Sequence, residues 1–146
     1  MTLIVVHAAA TWFLVGLIWI VQVVHYPLFE AVGRESFPGY QRSHVARITP
    51  IVAPVMGLEL VTALMLALDP PLAPDAGWYR AGLALVAAVW AVTGLVSVPA
   101  HARLERSFDP ATHRRLVRSN WLRTSVWTLR GLLVAWLLLA AAPAVG

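Results

Sequence analysis

Residues 22–59 read QVVHYPLFEAVGRESFPGYQRSHVARITPIVAPVMGLE, and the way this stretch divides decides the fold. It holds the end of one apolar run, a turn dotted with Arg and Glu, and the start of a second apolar run. His25, His44 and Glu59 lie in it among Pro27, Pro50 and Pro54. Polar and helix-breaking residues are costly where a chain enters lipid, so their density here calls for a reason.

Outward from this stretch, four runs meet the requirement of about 20 mostly apolar residues for a spanning helix. They cover residues 3–26, 47–68, 78–98 and 121–142. Pro27 marks an end or kink of the first. Residues 28–46 form a loop with room for a short interfacial helix. DPPLAPD (69–75) is a rigid turn, Pro99 ends the third run, and residues 100–120 form a basic second loop. The fourth run is the most informative. After Arg130 the uninterrupted apolar segment is too short to cross, so a crossing helix starts near Trp121 and carries Arg130 inside. A half-inserted terminal helix is the alternative.

Composition agrees. Hydrophobic residues make up 60% and charged residues 12% of 146, a balance suited to a membrane protein and to one domain. With no cysteine, disulfides, thiolate metal sites and Cys nucleophiles are excluded. There is no GxSxG motif and no phosphate-binding glycine loop. The start, MTLIVVHAAATW, lacks a basic region and reads as a retained span, not a leader. Every basic residue is Arg, and heavy Ala, Val and Arg usage suggests a bacterial source. The net charge of +4 comes from Arg clusters flanking apolar runs, so no nucleic-acid partner is expected. Arg34, Arg42 and Arg47 mark the first loop. Arg103, Arg106, Arg114, Arg115, Arg118 and Arg123 mark the second, and Arg80 alone sits beside the proline turn. Arginine counting places both basic loops in the cytoplasm. The expected fold is all-α: an integral membrane four-helix transmembrane bundle. Residues 1–146 form a single transmembrane domain in the bacterial inner membrane, with both termini outside.

Helical periodicity gives each run one polar stripe. His7, Thr11, Gln22 and His25 share a face of the first, with Trp12 and Trp19 off it. Val52, Val55, Glu59 and Thr62 share a face of the second. Trp90, Gly94, Ser97 and His101 align on the third. Asn120, Arg123, Thr124, Trp127, Arg130 and Gly131 crowd one side of the fourth. Such stripes turn inward. At 1.5 Å per residue, Glu59 lies about 16 Å from Ile48 and Arg130 about 10 Å from Arg123, which makes a Glu59–Arg130 pair feasible near mid-span. The pair is either a functional site or a lock that specifies the fold.

His25, His44 and His101 sit near the cytoplasmic ends of three runs, where they can converge on a transition metal or a haem iron. The bland reading of each is an interfacial imidazole bonded to a backbone carbonyl or carboxylate. His113, in a basic loop, reads as solvated. His7 lies near the outer face. Two zones are therefore expected, a cytoplasmic histidine zone and a deeper Glu/Arg zone, with His7 apart from both. A di-iron carboxylate bundle needs several Glu and paired ExxH motifs, which are lacking. A weak echo links the two halves: Pro27 with Pro99, and Ser36-Phe37 with Ser107-Phe108. It fits an ancestral repeat or coincidence.

His7, Trp12 and Gly16, then HYPLF (25–29), RITPIVAPVM (47–56), GWYRAGLALV (77–86) and HRRLVRSNWLR (113–123) give the chain a likeness to known proteins. In these features it resembles the HemJ-type membrane protoporphyrinogen oxidases and, more distantly, the copper-resistance D-type membrane domain. The resemblance implies haem binding, with His7 at the position of a first-helix histidine. Gly82 stands where that family has a basic residue, with Arg80 two residues earlier.

The expected function is thus a haem- or metal-associated membrane protein acting as an oxidoreductase. Glu59 and Arg130 would be catalytic. His7, His25 and Arg123 would hold the cofactor, and His25, His44 and His101 a metal. The alternatives are a non-catalytic subunit or assembly factor of a larger membrane complex, and a small proton-coupled transporter. The bilayer is the expected partner, together with a homo-oligomer or larger complex, since Gly16, Gly57, Gly82 and Gly94 permit close helix contact.

Overall fold

In a computed structural model of the chain, residues 1–71 and 74–141 are described. They are helical, with no strand among them. The first rod comprises α1 (Thr2–Ile20), a π turn (Val21–His25), α2 (Tyr26–Leu28) and a 3-10 turn (Phe29–Ala31). The second is α3 (Phe37–Leu68). The third comprises α4 (Ala76–Val92), a second π turn (Thr93–Ser97) and α5 (Val98–Leu104). The fourth is α6 (Pro110–Ala140). All four rods are long and apolar enough to cross a membrane. α1 packs against α3 and α6, and α4 packs against the same two, so consecutive rods are neighbours around a ring.

The helices run further than the apolar runs predict. Residues 37–46, expected in a loop, form the first turns of α3, and residues 110–120 form the first turns of α6. Proline explains the misreading. Pro38 and Pro110 occupy first-turn positions, where a missing N–H costs nothing because that donor has no helical partner. Asp109 caps α6 by accepting from the backbone N–H of Ala111 (3.2 Å) and Thr112 (2.9 Å), and from the Thr112 hydroxyl. The Thr112 hydroxyl first, then the two backbone donors, hold the exposed Asp109 carboxyl below the usual carboxylate range. Asp75 caps α4 through Gly77 N, at 2.7 Å. α6 is continuous from Pro110 through Arg130 to Ala140. The connections shrink to 32–36, 69–75 and 105–109; Leu72 and Ala73 of the proline turn, and Ala142 of the expected fourth run, lie outside the described residues.

Pro99 does not end the third rod, and Pro27 does not end the first. In both, a π turn closes two residues before the proline, His25 before Pro27 and Ser97 before Pro99. A proline ring clashes with the carbonyl four residues back, and the wider π turn relieves that clash without breaking the rod. Pro50 and Pro54 sit inside the unbroken α3. The first and third rods thus share one feature, a π turn ahead of a proline.

Three apolar layers cross the bundle. Ile4, Leu66, Tyr79 and Leu137 form one end. Leu14, Val15, Ile18, Met56, Val89 and Trp127 form the middle. Phe29, Phe37, Leu104 and Leu116, with Val21, Tyr26 and Ala100, form the other end. Two groups of buried polar residues interrupt them.

Candidate functional site: a charge layer and a histidine layer

The first polar group centres on Arg130, which is fully buried (0% exposed). Its Nε donates to Glu59 Oε1 at 2.7 Å, so the pair expected from helix arithmetic is present. Nη1 donates to the Gly82 carbonyl and Nη2 to His7 Nε2 at 2.6 Å. Glu59 also accepts from Thr11 Oγ1 on Oε1 (3.0 Å) and from Trp127 Nε1 on Oε2 (3.1 Å). The tautomer of His7 follows. A guanidinium only donates, so Nε2 of His7 accepts and its proton is on Nδ1. Nδ1 then donates to Thr62 Oγ1 at 2.7 Å, and that hydroxyl donates to the Leu58 carbonyl at 2.7 Å.

His7 therefore belongs to the Glu/Arg layer and is not apart from it. Thr62, one turn beyond Glu59, and the long reach of Arg130 bridge the depth that separates them in sequence arithmetic. Both ring nitrogens of His7 are engaged in hydrogen bonds within this layer. Free space beside this layer is about 10 Å³. A cavity of that size admits at most one water molecule.

The second polar group lies at the Arg-rich end. His25, from the first π turn, meets His44 of α3 with Nε2 to Nδ1 2.8 Å. His44 and His101 of α5 have ring centroids 5.7 Å apart. Tyr26 Oη bonds His101 Nε2 at 3.1 Å, and Gln41 bonds His101 Nδ1. The three histidines expected together do converge. Among the described residues, however, no three His, Asp or Glu side chains are arranged to hold a metal ion, and the facing nitrogens of His25 and His44 bond each other. The arrangement is two hydrogen-bonded pairs, His25 with His44 and Tyr26 with His101, brought side by side by the His44–His101 ring contact.

His113, expected to be solvated, is 2% exposed. Its Nε2 donates to the Tyr26 carbonyl (3.1 Å) and its Nδ1 lies 3.4 Å from Glu30. The cause is the early start of α6, whose first turn faces the end of the first rod. Gln41 and Tyr26 are the partners that sequence reasoning misses. Gln41 falls in the segment read as loop. Read as helix, Phe37, Gln41 and His44 share one face at helical spacing.

Arg123 stands between the layers. Its Nη1 donates to Asn120 Oδ1 at 3.0 Å, and Asn120 in turn donates to Gln22 Oε1 at 2.8 Å. The Tyr26 hydroxyl faces the guanidinium, and the Trp127 ring lies 5.1 Å from Cζ. Trp127 thus joins the layers, its N–H on Glu59 and its face toward Arg123. Against it opens a cavity of about 290 Å³. Leu14, Val52 and Met56 make apolar walls, and Tyr26, His44, His101 and Arg123 make the polar end. Both π turns contribute, through Val21, Thr93 and Ser97. Thr49, Ala53, Trp90 and Val98 line it and are exposed, so it opens sideways between α3 and the α4–α5 rod.

The chain matches no protein-family model, no curated protein and no solved structure.

Proposed function

We propose that the chain is a four-span protein of the bacterial inner membrane, Arg-rich loops in the cytoplasm and both termini outside. Its site is the cavity beneath the histidine layer. There it binds a lipophilic molecule and exchanges a proton with the polar head of that molecule through the hydrogen-bonded pair Tyr26 and His101. A membrane oxidoreductase is the reaction class we propose this serves: reduction of a lipophilic acceptor takes two electrons from a separate electron-donor protein and two protons, and the site would deliver the protons. The observation that carries the reading is the cavity itself, apolar along its walls, open at the side and closed by hydrogen-bonding groups at one end. Its volume falls at the lower edge of the ~300–1,000 Å³ range of small-molecule sites. Glu59 and Arg130 are, on this reading, a lock that specifies the fold and not a catalytic pair, because their donors and acceptors are spent on each other and on neighbours.

Convergence of three imidazoles from three rods favours a second reading, a transition metal on His25, His44 and His101. It requires the His25–His44 bond to open, together with one of the two bonds His101 makes, to Tyr26 or to Gln41. Purification in mild detergent, followed by solvent extraction with mass spectrometry, an optical spectrum and elemental analysis, separates the two. The first reading expects about one lipophilic molecule per chain, reduced by Tyr26→Phe with His101→Ala. The second expects stoichiometric metal lost in His44→Ala. A colourless protein with neither ends both.

A further inference from the structure

Arg123 is 7% exposed, yet no carboxylate among the described residues pairs with it. The groups around it, Asn120, Tyr26 and Trp127, are neutral. Arg123 Nε and Ser97 Oγ are buried without a hydrogen-bond partner, and both residues line the same cavity. A buried cation and two unused polar atoms facing an apolar cavity mark a place for an anion that the chain does not supply. Arg130, the other buried arginine, has its charge met by Glu59 and needs none.

We infer that the cavity takes an amphiphile with one anionic head and an apolar body, the head against Arg123 and Ser97. The inference rests on the cavity being the binding site, as proposed above. One uncompensated charge matches a monoanion, and guanidinium geometry favours an oxyanion with two oxygens that accept from two N–H groups. The body lies along Leu14, Val52 and Met56 and enters between α3 and the α4–α5 rod, past Thr49 and Val98. A free fatty carboxylate and the phosphodiester head of a monoanionic phospholipid share this chemistry.

Trp90 and Trp127 line the cavity and report on it. The experiment titrates the full chain in neutral detergent with dibrominated stearate or its methyl ester and follows saturable quenching of tryptophan fluorescence. The acid is expected to half-saturate at a concentration about tenfold or more below that of the ester, the size of a charge-assisted contact. Arg123→Leu removes the preference and Arg123→Lys keeps part of it. Displacement by unbrominated stearate or by phosphatidylglycerol then names the source. Equal quenching by acid and ester in the unaltered chain overturns the anionic head and leaves the cavity reading intact. No saturable quenching by either overturns both. The acid–ester comparison needs no variant, so a folding failure of Arg123→Leu does not blur it.

Discussion

Arg123 and Arg130 stand on the same side of α6, two turns apart, and both are buried. Arg130 lies in a closed network where Glu59 supplies the counter-charge and His7, Gly82 and Thr62 complete the bonding. Arg123 has neutral neighbours, one unpartnered nitrogen and a cavity. The same residue on the same helix face is thus neutralised in one layer and left charged in the next. Burial alone does not distinguish a structural cation from a ligand-binding one; the counter-charge and the adjoining space do.

The largest effect that bears on this contrast is expected at Glu59. Glu59→Gln strands Arg130 without a counter-ion and should cost about 3–5 kcal/mol. Arg130→Leu strands the carboxylate, and the double variant should lose clearly less than the sum of the single losses. Denaturation in detergent measures the cycle. Additive losses would mean that the pair contributes nothing and that the contrast is empty. Gly82→Ala comes next. Its Cβ would stand 3.3 Å from Arg130 Nη1, so packing strain of about 1–3 kcal/mol is expected. Gly16→Ala, with nothing within 4 Å, should be neutral or slightly stabilising in the same assay.

Arg123→Leu should be milder than either charge change in the Glu59 layer. It leaves no anion behind, and Asn120 and Tyr26 lose one hydrogen bond each, about 1 kcal/mol. A loss as large as that of Glu59→Gln would reveal a counter-charge that Arg123 already has. The smallest effect concerns Asp109 and assigns the acid response. Its depressed carboxyl contributes stability that is present above its unfolded value and lost as pH falls through its folded value. Asp109→Asn should therefore flatten the acid limb of stability against pH by a small amount. An unchanged acid limb would place the titration elsewhere.

Much of this was legible from residue spacing. Four rods follow from four apolar runs, and Glu59 meets Arg130 because both depths follow from rise per residue along α3 and α6. The offset of one rod against another is not a property of either run. That offset decides that His7 joins Arg130, and no periodicity contains it. Residues 37–46 and 110–120 were hidden by composition: a polar, proline-bearing first turn looks like a loop. Gln41 and His113 were lost with those turns. The cavity was equally hidden, since it depends on two π turns whose only trace is Pro27 and Pro99.

Whether Arg123 awaits an anion is tested most directly by the thermal midpoint of the purified chain with and without a long-chain carboxylic acid. At a concentration about a hundred times its Kd, a ligand of the folded state adds about 2.7 kcal/mol. An arginine without a counter-charge predicts a clear rise with the acid, little with its methyl ester, and none in Arg123→Leu. An equal rise in both proteins, or no rise in the unaltered chain, would contradict it.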